Sequence, residues 1–397
     1  MRHLCGCRIE LSEHVRYGAC AHQRRAHPRQ VLNADNVAAT VRRILSSVHF
    51  DTHHRIAIAL SGGGDSTALL CLLHDFFSQR GEEDRLFAVT VDHGLRPDSA
   101  AEARRAGEFC AALGIPHTIR RWEGEKPVAG LQAAAREARY RLLAEAADDA
   151  DCSLVMTGHT LDDQAETVAM RRERGAGRGL SGIAPATLHD KRIWFVRPLI
   201  GQRRAALRAF LTERRQDWID DPSNTDPRFE RVRMRAAINP EQCDAADFRV
   251  AFEARRGEAE RAAAILGDED VWLFDRTKRT AELVADTATG KEAFPLALAV
   301  VMGWAGHGAH LPTGPVLEKA AAFCRDATGG QKITAAGCLL AKAQGRVTIG
   351  RETRNRREAG FGFDHLLPSP DHALAEALAR RIGATSYPPP PLSGYPD

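Results

Sequence analysis

The chain has 397 residues, of which 44% are hydrophobic and 27% charged, a composition typical of a globular protein with two domains. Its nine cysteines are an odd number scattered along the chain, which favours free thiols in the cytoplasm over a disulfide framework. The sequence has no apolar run of about 18 residues and no signal-peptide core near its start, so we expect no membrane segment.

The net charge of +3 is unevenly distributed along the chain. Residues 171–235 contain sixteen Lys or Arg against eight Asp or Glu, so this stretch alone carries about +8 and the remainder is net acidic. Such an excess is typical of a surface that binds a phosphate-rich polymer, although a solvated helical face would give the same composition. We expect the stretch to contact such a polymer, with Arg203 and Arg204 among the contacts.

The periodicity of apolar residues predicts the following elements in chain order. Residues 1–40 are polar and rich in His and Arg, and are predicted to be an extension without a secure fold. Strands are predicted at 56–60, 86–91, 117–120 and 153–157, and helices at 67–77, 99–113, 131–147 and 162–172. After residue 235 the pattern is helical at 241–266, 294–301 and 316–324, and then alternates as a hairpin within 332–351.

Alternating strands and helices predict an α/β fold with a doubly wound, mostly parallel sheet, whose ligands bind at the carboxyl ends of the strands. We assign residues 50–238 to this domain and place a boundary near residue 239. Residues 240–355 are predicted to be a helical region with a small α+β end. The proline-rich residues 385–397 are predicted to be a disordered tail.

A glycine-rich loop follows the first predicted strand, with the sequence Ser61, Gly62, Gly63, Gly64, Asp65, Ser66. Consecutive glycines at the start of a helix expose backbone N–H groups that bind phosphate oxygens. The spacing matches neither a Walker A loop nor a dinucleotide fingerprint. The loop resembles the pyrophosphate-binding loop of the N-type ATP pyrophosphatases, and a carboxylate at Asp65 suits a Mg²⁺ ligand.

A second cluster follows the fourth strand and narrows the resemblance. His159 lies at the strand end, Asp162 and Asp163 follow it, and Glu166 is one helical turn beyond Asp163. The chain resembles the tRNA(Ile)-lysidine synthetase family over residues 55–235 and more faintly over 332–352. The other segments that carry the resemblance are 91–95, 135–140, 174–180 and 221–224.

The resemblance implies an ATP- and Mg²⁺-dependent ligase that joins free L-lysine to the wobble cytidine of tRNA(Ile) with a CAU anticodon, forming a carbon–nitrogen bond. It also implies that residues 50–238 are the catalytic domain and that residues 240–355 bind tRNA. The implied nucleotide-binding residues are Ser61, Gly62, Gly63, Gly64, Asp65, Ser66, Asp92 and His93. The implied catalytic residues are Asp65, Arg139, His159, Asp163 and Arg231. Mg²⁺ is assigned to Asp65, Asp162 and Asp163, and the lysine ammonium to Glu166, which is expected to be an exposed carboxylate.

The chain departs from the family at Val232, where the family usually has Asn, which puts one polar contact in doubt. A tRNA thiolase is the alternative within the superfamily, but the sequence has no C-x-x-C pair. A small-molecule amidotransferase would leave the basic stretch unexplained, and a catalytically inactive tRNA-binding relative would not need the loop. A homodimer is one expected assembly, and a zinc site is a further hypothesis at Cys5, Cys7, Cys20 and His22.

Overall fold

Two β-sheets, with helices packed around them, form the part of the chain that the computed structural model describes. It describes residues 34–396 except 52, 176, 221–229, 239–242, 285, 309, 355–360 and 393. The strands are β1 (Arg55–Ala59), β2 (Leu86–Asp92), β3 (His117–Arg121), β4 (Cys152–Met156), β5 (Ala186–His189), β6 (Ile193–Val196), β7 (Trp272–Asp275), β8 (Thr280–Leu283), β9 (Lys332–Ala335), β10 (Cys338–Ala343), β11 (Arg346–Arg351) and β12 (Leu366–Pro368). The helices are α1 (Ala34–Ser47), α2 (Gly64–Ser78), α3 (Ser99–Ala112), α4 (Leu131–Asp149), α5 (Leu161–Glu173), α6 (Arg204–Glu213), α7 (Glu230–Ala237), α8 (Ala245–Gly267), α9 (Phe294–Ala305), α10 (Gly314–Asp326), α11 (Gly362–His365) and α12 (His372–Ile382).

The first sheet has the strand order β12-β5-β6-β4-β1-β2-β3. Its strands β6, β4, β1, β2 and β3 are parallel, whereas β5 and β12 pair antiparallel at one edge. The central strands are buried on both faces, as the run Ile56, Ala57, Ile58 requires. The predicted α/β class is confirmed, and the carboxyl ends of β1, β2, β4 and β6 lie at one edge of the sheet. That edge is where the motif residues follow their strands.

The second sheet is antiparallel, with the order β7-β8-β11-β10-β9, and α9 and α10 pack against it. Trp272 and Phe294 belong to the same continuous apolar core as Leu70 and Phe77 of α2. The helices and the terminal hairpin that the sequence predicted after residue 235 are present.

The predicted boundary at residue 239 lies outside the described residues, as does the extension up to residue 33. In the described part of the chain no helix is both long and apolar enough to cross a membrane.

The chain end returns to the first sheet, which the sequence did not predict. Strand β12 pairs with β5, and α12 packs along α8. The prediction of a disordered tail is wrong for the described residues of 385–396, because Tyr387, Leu392 and Tyr395 are buried. These three side chains are apolar enough to pack between the prolines, which need no regular hydrogen bonding to do so.

A buried carboxylate fastens this returning segment. Asp371, 3% exposed, accepts hydrogen bonds from Arg178 at 3.0 Å and from Nε of Arg255 at 3.2 Å. Burial by itself raises the pKa of Asp371, but the charges of Arg255 and Arg178 outweigh burial and lower it. The carboxylate is therefore charged at neutral pH and joins α12 to α8 and to the turn after α5.

We expect Asp371→Asn to lower the free energy of unfolding by about 3 kcal/mol, because it leaves two arginines without their buried anion. The ionic contribution should be present at neutral pH and lost as the pH falls below the ordinary carboxyl range, since the pKa in the folded state is lowered. Urea unfolding followed by circular dichroism measures this loss. Asp275→Asn, an exposed carboxylate beside Lys278, is the control and should change little. Equal stabilities of the two variants would contradict the assignment.

Candidate active site

The glycine loop connects β1 to α2 through a turn that only glycine fits. Gly62 has a φ of +81°, and a Cβ there would lie 2.7 Å from Cδ1 of Ile219. The Ile219 N–H donates to the Gly62 carbonyl at 2.9 Å, so the segment after α6 lies against the loop. A side chain at residue 62 would strain the backbone and push this segment away.

The start of α2 has the features of an anion-binding site. Its N-cap residue, Gly63, provides no side-chain cap for the N–H groups of the first turn. The Ser61 and Ser66 hydroxyls lie 3.0 Å apart, and Ser66 also donates to the Gly63 carbonyl at 3.0 Å, which fixes the loop. Uncapped N–H groups together with the helix dipole favour a phosphate at this position.

Gly158 brings the loop and the second motif together. A Cβ at Gly158 would lie 2.9 Å from the carbonyl oxygen of Asp65 and 3.0 Å from the Ser66 nitrogen. The end of β4 is therefore packed directly against the first turn of α2. The two motifs, separated by almost a hundred residues in sequence, contact each other through their backbones.

Helix α5 begins with a capping box that orients its acidic residues. Thr160 caps the N–H of Asp163, and Oδ2 of Asp163 accepts from the Thr160 N–H at 2.8 Å. Oδ2 of Asp162 accepts from the backbone N–H of Arg204 at 2.8 Å. The second oxygen of Asp163, Oδ1, faces two arginines, Arg204 at 3.3 Å and Arg231 at 3.4 Å.

Arg204, the first residue of α6, lies between the two motifs. Its Nε is 3.0 Å from Asp65, its Nη2 is 3.3 Å from Asp163, and its Nη1 is 3.5 Å from Glu166. Burial lowers the pKa of Arg204, but the carboxylates of Asp163, Asp65 and Glu166 outweigh burial and raise it above the ordinary value. The expectation that Arg204 contacts RNA is wrong for this conformation, because its guanidinium is committed to these carboxylates. Arg203 donates to the Cys243 carbonyl.

Glu166 is not the exposed carboxylate that the sequence suggested. Its side chain is 3% exposed, and Arg231 and Arg235 of α7 approach it at 3.0 and 2.7 Å. Arg231 also lies 3.4 Å from Asp163. The sequence motif around Glu166 does not indicate these partners, because α7 follows Glu166 by more than sixty residues.

The acidic residues are suited to a hard divalent cation. Asp65 Oδ1 is buried and has no hydrogen-bond partner among the described residues. Burial raises the pKa of Asp65, Arg204 opposes that rise, and the neighbouring Asp163 and Asp162 add to it. An unpaired carboxylate oxygen beside two further carboxylates fits Mg²⁺, which prefers oxygen ligands.

A cationic region lies beside the acidic one. Burial and the positive charges of Arg197 and Arg139, followed by two further arginines, hold the pKa of His159 well below its ordinary value. His159 is therefore neutral at neutral pH, and its Nδ1 is 2.9 Å from the Thr157 hydroxyl. Its contribution to binding an anion is a hydrogen bond, while the charge comes from the arginines.

The hydroxyl of Tyr140 organises part of this region. It accepts hydrogen bonds from Arg136 and Arg197, each at 3.1 Å. Arg197 is 2% exposed, and its other terminal nitrogen, Nη1, donates to the Ala184 carbonyl. Burial alone would raise the pKa of Tyr140, but the charges of Arg197, Arg136 and Arg139 outweigh it and lower the pKa to about 7.

The remaining residues that the sequence singled out form no hydrogen bond or ion pair with Arg204 or with the carboxylates of α5 in the described structure. Asp92 is buried and accepts from the Gly94 N–H at 2.9 Å, so it shapes the turn after β2. Nδ1 of His93 is buried without a hydrogen-bond partner among the described residues, and its ring lies edge-on to Trp122. Val232 is partly buried on α7, and in the sequence it follows Arg231, one of the two arginines that contact Glu166. The hypothetical zinc ligands Cys5, Cys7, Cys20 and His22 lie outside the described residues.

Sequence reasoning gave no role to Gln164, which ties α5 to the chain end. Its amide nitrogen donates to the Ile183 carbonyl at 2.8 Å and to the Tyr395 hydroxyl at 3.1 Å. Its oxygen accepts from the Ile183 N–H at 2.6 Å. Gln164 was within the motif, but nothing in the pattern indicated a partner 231 residues away.

A phosphate-binding loop at the start of α2, packed against the acidic start of α5, defines the PP-loop class of proteins. A family model described as a PP-loop domain matches residues 34–242, more than half of the chain. A tRNA(Ile)-lysidine synthase of Mesorhizobium japonicum is 42% identical over 334 residues, which cover 80% of this chain and 72% of the relative. The enzyme of the same name from Rhizobium meliloti is 40% identical over 344 residues, with the same coverage. The chain belongs to the tRNA(Ile)-lysidine synthase family.

Among solved structures, a U34-tRNA thiolase from Methanococcus maripaludis that contains a [4Fe-4S] cluster is similar with a TM-score of 0.42 and 20% identity. The match covers 51% of this chain and 71% of the thiolase. Similarity at this level does not indicate a shared reaction.

The environment of Tyr140 predicts an ionisation near neutral pH. The chain has only four tyrosines, so the ultraviolet absorbance of phenolate should rise in a distinct step at about pH 7, and Tyr140→Phe should remove that step. Ionisation should stabilise the folded protein above the ordinary tyrosine pKa of about 10, and this contribution should be lost as the pH falls through 7. Tyr387→Phe is the control, because burial and Asp364 raise the pKa of Tyr387. A step that persists in Tyr140→Phe would contradict the prediction.

Proposed function

We propose that the chain is a tRNA(Ile)-lysidine synthase, which uses ATP to activate the wobble cytidine of tRNA(Ile) with a CAU anticodon and then joins free lysine to it. The observation that carries the proposal is the backbone contact of Gly158 with Asp65 and Ser66, which puts the phosphate-binding loop beside the α5 carboxylates. Family membership, with curated relatives of that name, supports the choice among PP-loop chemistries.

The proposed reaction has two steps. First, O2 of the cytidine attacks the α-phosphorus of ATP, and the bond to pyrophosphate breaks. Second, the neutral ε-amine of lysine attacks C2, the C2–O2 bond breaks, AMP leaves, and the amine loses a proton. Oxygen bound to C2 is a poor leaving group until adenylation makes it a phosphate ester, which explains the need for ATP. Formation of the carbon–nitrogen bond makes the enzyme a ligase.

The acidic half of the site is suited to the metal-bound phosphates. The loop from Ser61 to Ser66 would hold pyrophosphate oxygens by its N–H groups and hydroxyls. Asp65 and Asp163, with Asp162, would hold Mg²⁺, which when bound neutralises phosphate charge. Arg204 contacts Asp65 and Asp163 at once, so its guanidinium balances the charge that the metal would balance.

The cationic half of the site is suited to the α-phosphate and the departing AMP. Arg139 and Arg231 would supply positive charge where negative charge develops on the α-phosphate, and neutral His159 would donate a hydrogen bond. Arg231 is held by Glu166 and Asp163, which lie on one side of α5. Asp92 and His93 would complete the nucleotide-binding edge at the end of β2.

A tRNA thiolase is the second candidate, and the structure gives it no support. Six cysteines lie in the described part of the chain, and five of them are buried at separate positions. Among the described residues, the cluster of His, Cys, Asp or Glu side chains whose ligand atoms all lie within 4.8 Å of one another consists of two histidines and an aspartate, with no cysteine. A sulfur-transferring pair or cluster has no donor set there. A cytoplasmic location and a homodimer stay predictions.

Mass spectrometry of tRNA nucleosides tests the proposed function directly. Incubation of tRNA(Ile) with protein, ATP, Mg²⁺ and lysine should convert the wobble cytidine to lysidine and release AMP and pyrophosphate. Asp65→Asn should abolish both products, because an amide replaces a charged metal ligand. Asp75→Asn, on the same helix but paired with Arg214, should keep full activity. Absence of lysidine with intact wild-type protein would refute the proposal, and AMP release by Asp65→Asn would remove Asp65 from the site.

Binding of the lysine ammonium by Glu166 is a separate proposal with its own requirement. Both oxygens of Glu166 already face arginines, so the lysine ammonium must displace one of these arginines. The side chain of Arg235 is partly exposed, so it can move into solvent. A charge-assisted hydrogen bond contributes roughly 1.5–3 kcal/mol, so Glu166→Gln should raise the lysine concentration needed by about ten- to a hundred-fold.

Pyrophosphate release and lysine incorporation, measured separately in Glu166→Gln, distinguish two roles for this carboxylate. A lysine-binding role predicts that adenylation survives while lysine use falls. If both steps fall together, Glu166 serves only to position Arg231 and Arg235. Glu173→Gln, at the exposed end of α5, is the control and should affect neither step.

We propose that residues 171–235 contact RNA through exposed arginines and not through Arg203 and Arg204. Arg172 and Arg215 are exposed, unlike Arg204. Their joint change to Glu should weaken tRNA binding and reduce its salt dependence, since each lost phosphate contact lowers the slope of log affinity against log salt by roughly 0.7–0.9. ATP binding should be unchanged. Arg104→Glu with Arg105→Glu on α3 is the matched control, and equal effects of both pairs would place the RNA elsewhere.

A further inference from the structure

Two histidines and an aspartate meet at the edge of the first sheet, where the His189 ring stacks on that of Tyr140 with centroids 6.3 Å apart. His189 ends β5, Asp190 follows it in the turn to β6, and His365 directly precedes β12. The Asp190 N–H donates to the His365 carbonyl at 3.0 Å, and His189 pairs with Leu366 in the strand ladder. Backbone pairing therefore holds the three side chains side by side.

The three side chains present nitrogen and oxygen atoms to one another. One ligand atom from each residue lies within 4.8 Å of the other two. Nδ1 of His365 is 2.6 Å from Asp190 Oδ1, and Nδ1 of His189 is 3.2 Å from Asp190 Oδ2. Ligands around a tetrahedral zinc with bonds of about 2 Å are about 3.3 Å apart, so a small rotation of the half-exposed Asp190 side chain meets that geometry.

His189 provides an independent indication of a ligand. Its side chain is 3% exposed, yet Nδ1 is buried without a hydrogen-bond partner among the described residues. The 3.2 Å approach to Asp190 brings the atoms close but does not form a hydrogen bond. Buried polar atoms in folded proteins are nearly always paired, so a buried nitrogen that faces a carboxylate and a second imidazole is suited to a cation.

The surrounding charges leave the cluster open to a cation. Lys191 lies 2.7 Å from Asp364, and Arg192 lies 2.6 Å from Asp148, so both cations next to Asp190 have carboxylates of their own. Asp190 and His365 are about half exposed, which gives an ion access from solvent. Asp190 and Lys191 have φ values of +46° and +57°, and the Arg192 N–H donates to the His189 carbonyl, as in a tight type I′ hairpin turn.

The site is separate from the proposed Mg²⁺ position. His189 pairs with Ile193, the first residue of β6, and so lies at the amino edge of the parallel strands. The candidate active site lies at their carboxyl edge. Imidazole nitrogen also selects borderline metals such as zinc, whereas the Asp65 site offers only carboxylate oxygen.

We propose that His189, Asp190 and His365 form a zinc-class metal site that joins the β5–β6 turn to the returning C-terminal strand. Two imidazole nitrogens and one carboxylate oxygen supply three protein ligands, and water completes a tetrahedral shell from the exposed side. Since β12 and α12 follow His365 directly, a bound ion fastens the start of this segment to the first sheet.

Zinc binding by the full-length protein tests the proposal without reference to tRNA modification, so its outcome is independent of the proposed function. Protein stripped with EDTA and dialysed is loaded with Zn²⁺, passed through a desalting column, and assayed for bound metal by mass spectrometry. Wild type should bind one zinc more than His365→Ala and than Asp190→Asn. His372→Ala, on the same segment but outside the cluster, should match wild type.

Cobalt substitution identifies the ligands. Co²⁺ held by imidazole and carboxylate should lack the intense thiolate-to-metal charge-transfer band that cysteine ligands produce, and its visible absorption should disappear in His365→Ala. Melting curves in EDTA show whether each variant is folded, and Asp190→Asn keeps the test valid if His365→Ala is not. Equal zinc content in wild type and a folded variant, or a visible cobalt absorption that is the same in both, would overturn the proposal.

Discussion

The guanidinium of Arg204 is the interaction on which the arrangement of the site depends. It lies against one carboxylate from the glycine-loop helix and two from α5, and its own N–H holds Asp162. Without it, buried carboxylates would face one another with too little positive charge, which costs several kcal/mol per unpaired group. Arg204 therefore determines how closely α2, α5 and α6 approach. The same charge allows the acidic residues to lie close together without a metal ion.

The site is divided by charge into two halves. Asp65, Asp163 and Glu166 form the acidic half, and the cationic half contains Arg139 and Arg197 around neutral His159. A substrate that combines metal-bound phosphates, a developing negative charge and an incoming amine needs both signs within one site. Fixed charges of this kind stabilise a transition state because they need no reorganisation when the reaction occurs. Arg231 contacts the acidic half from α7 and so joins the halves.

The C-terminal segment supports the catalytic sheet as well as its own helical region. Asp371 joins α12 to α8, and Tyr395 reaches Gln164 on α5. The start of α5 carries the residues that face Arg204, so the chain end contacts the back of a helix whose position matters for chemistry. One continuous apolar cluster runs between the two sheets, and Tyr395 packs in a smaller cluster with Leu161 of α5 and Phe252 of α8. A segment that looks like a tail in sequence is part of the scaffold.

The sequence alone determined the strand–turn–helix units, the glycine loop and the acidic motif, because each is a local pattern of hydrophobicity and turn residues. The predicted site residues Asp65, Asp163 and His159 come from these motifs, and the contact through Gly158 brings the two motifs together. Only the tertiary structure decided that Arg204 lies inside the site, that Glu166 is buried among arginines, and that Tyr395 packs against α5. These pairings join residues 38 to 231 positions apart, and no local periodicity encodes them. An arginine on a basic surface and an arginine bound to three carboxylates have the same sequence signature, so burial and partner geometry alone distinguish them.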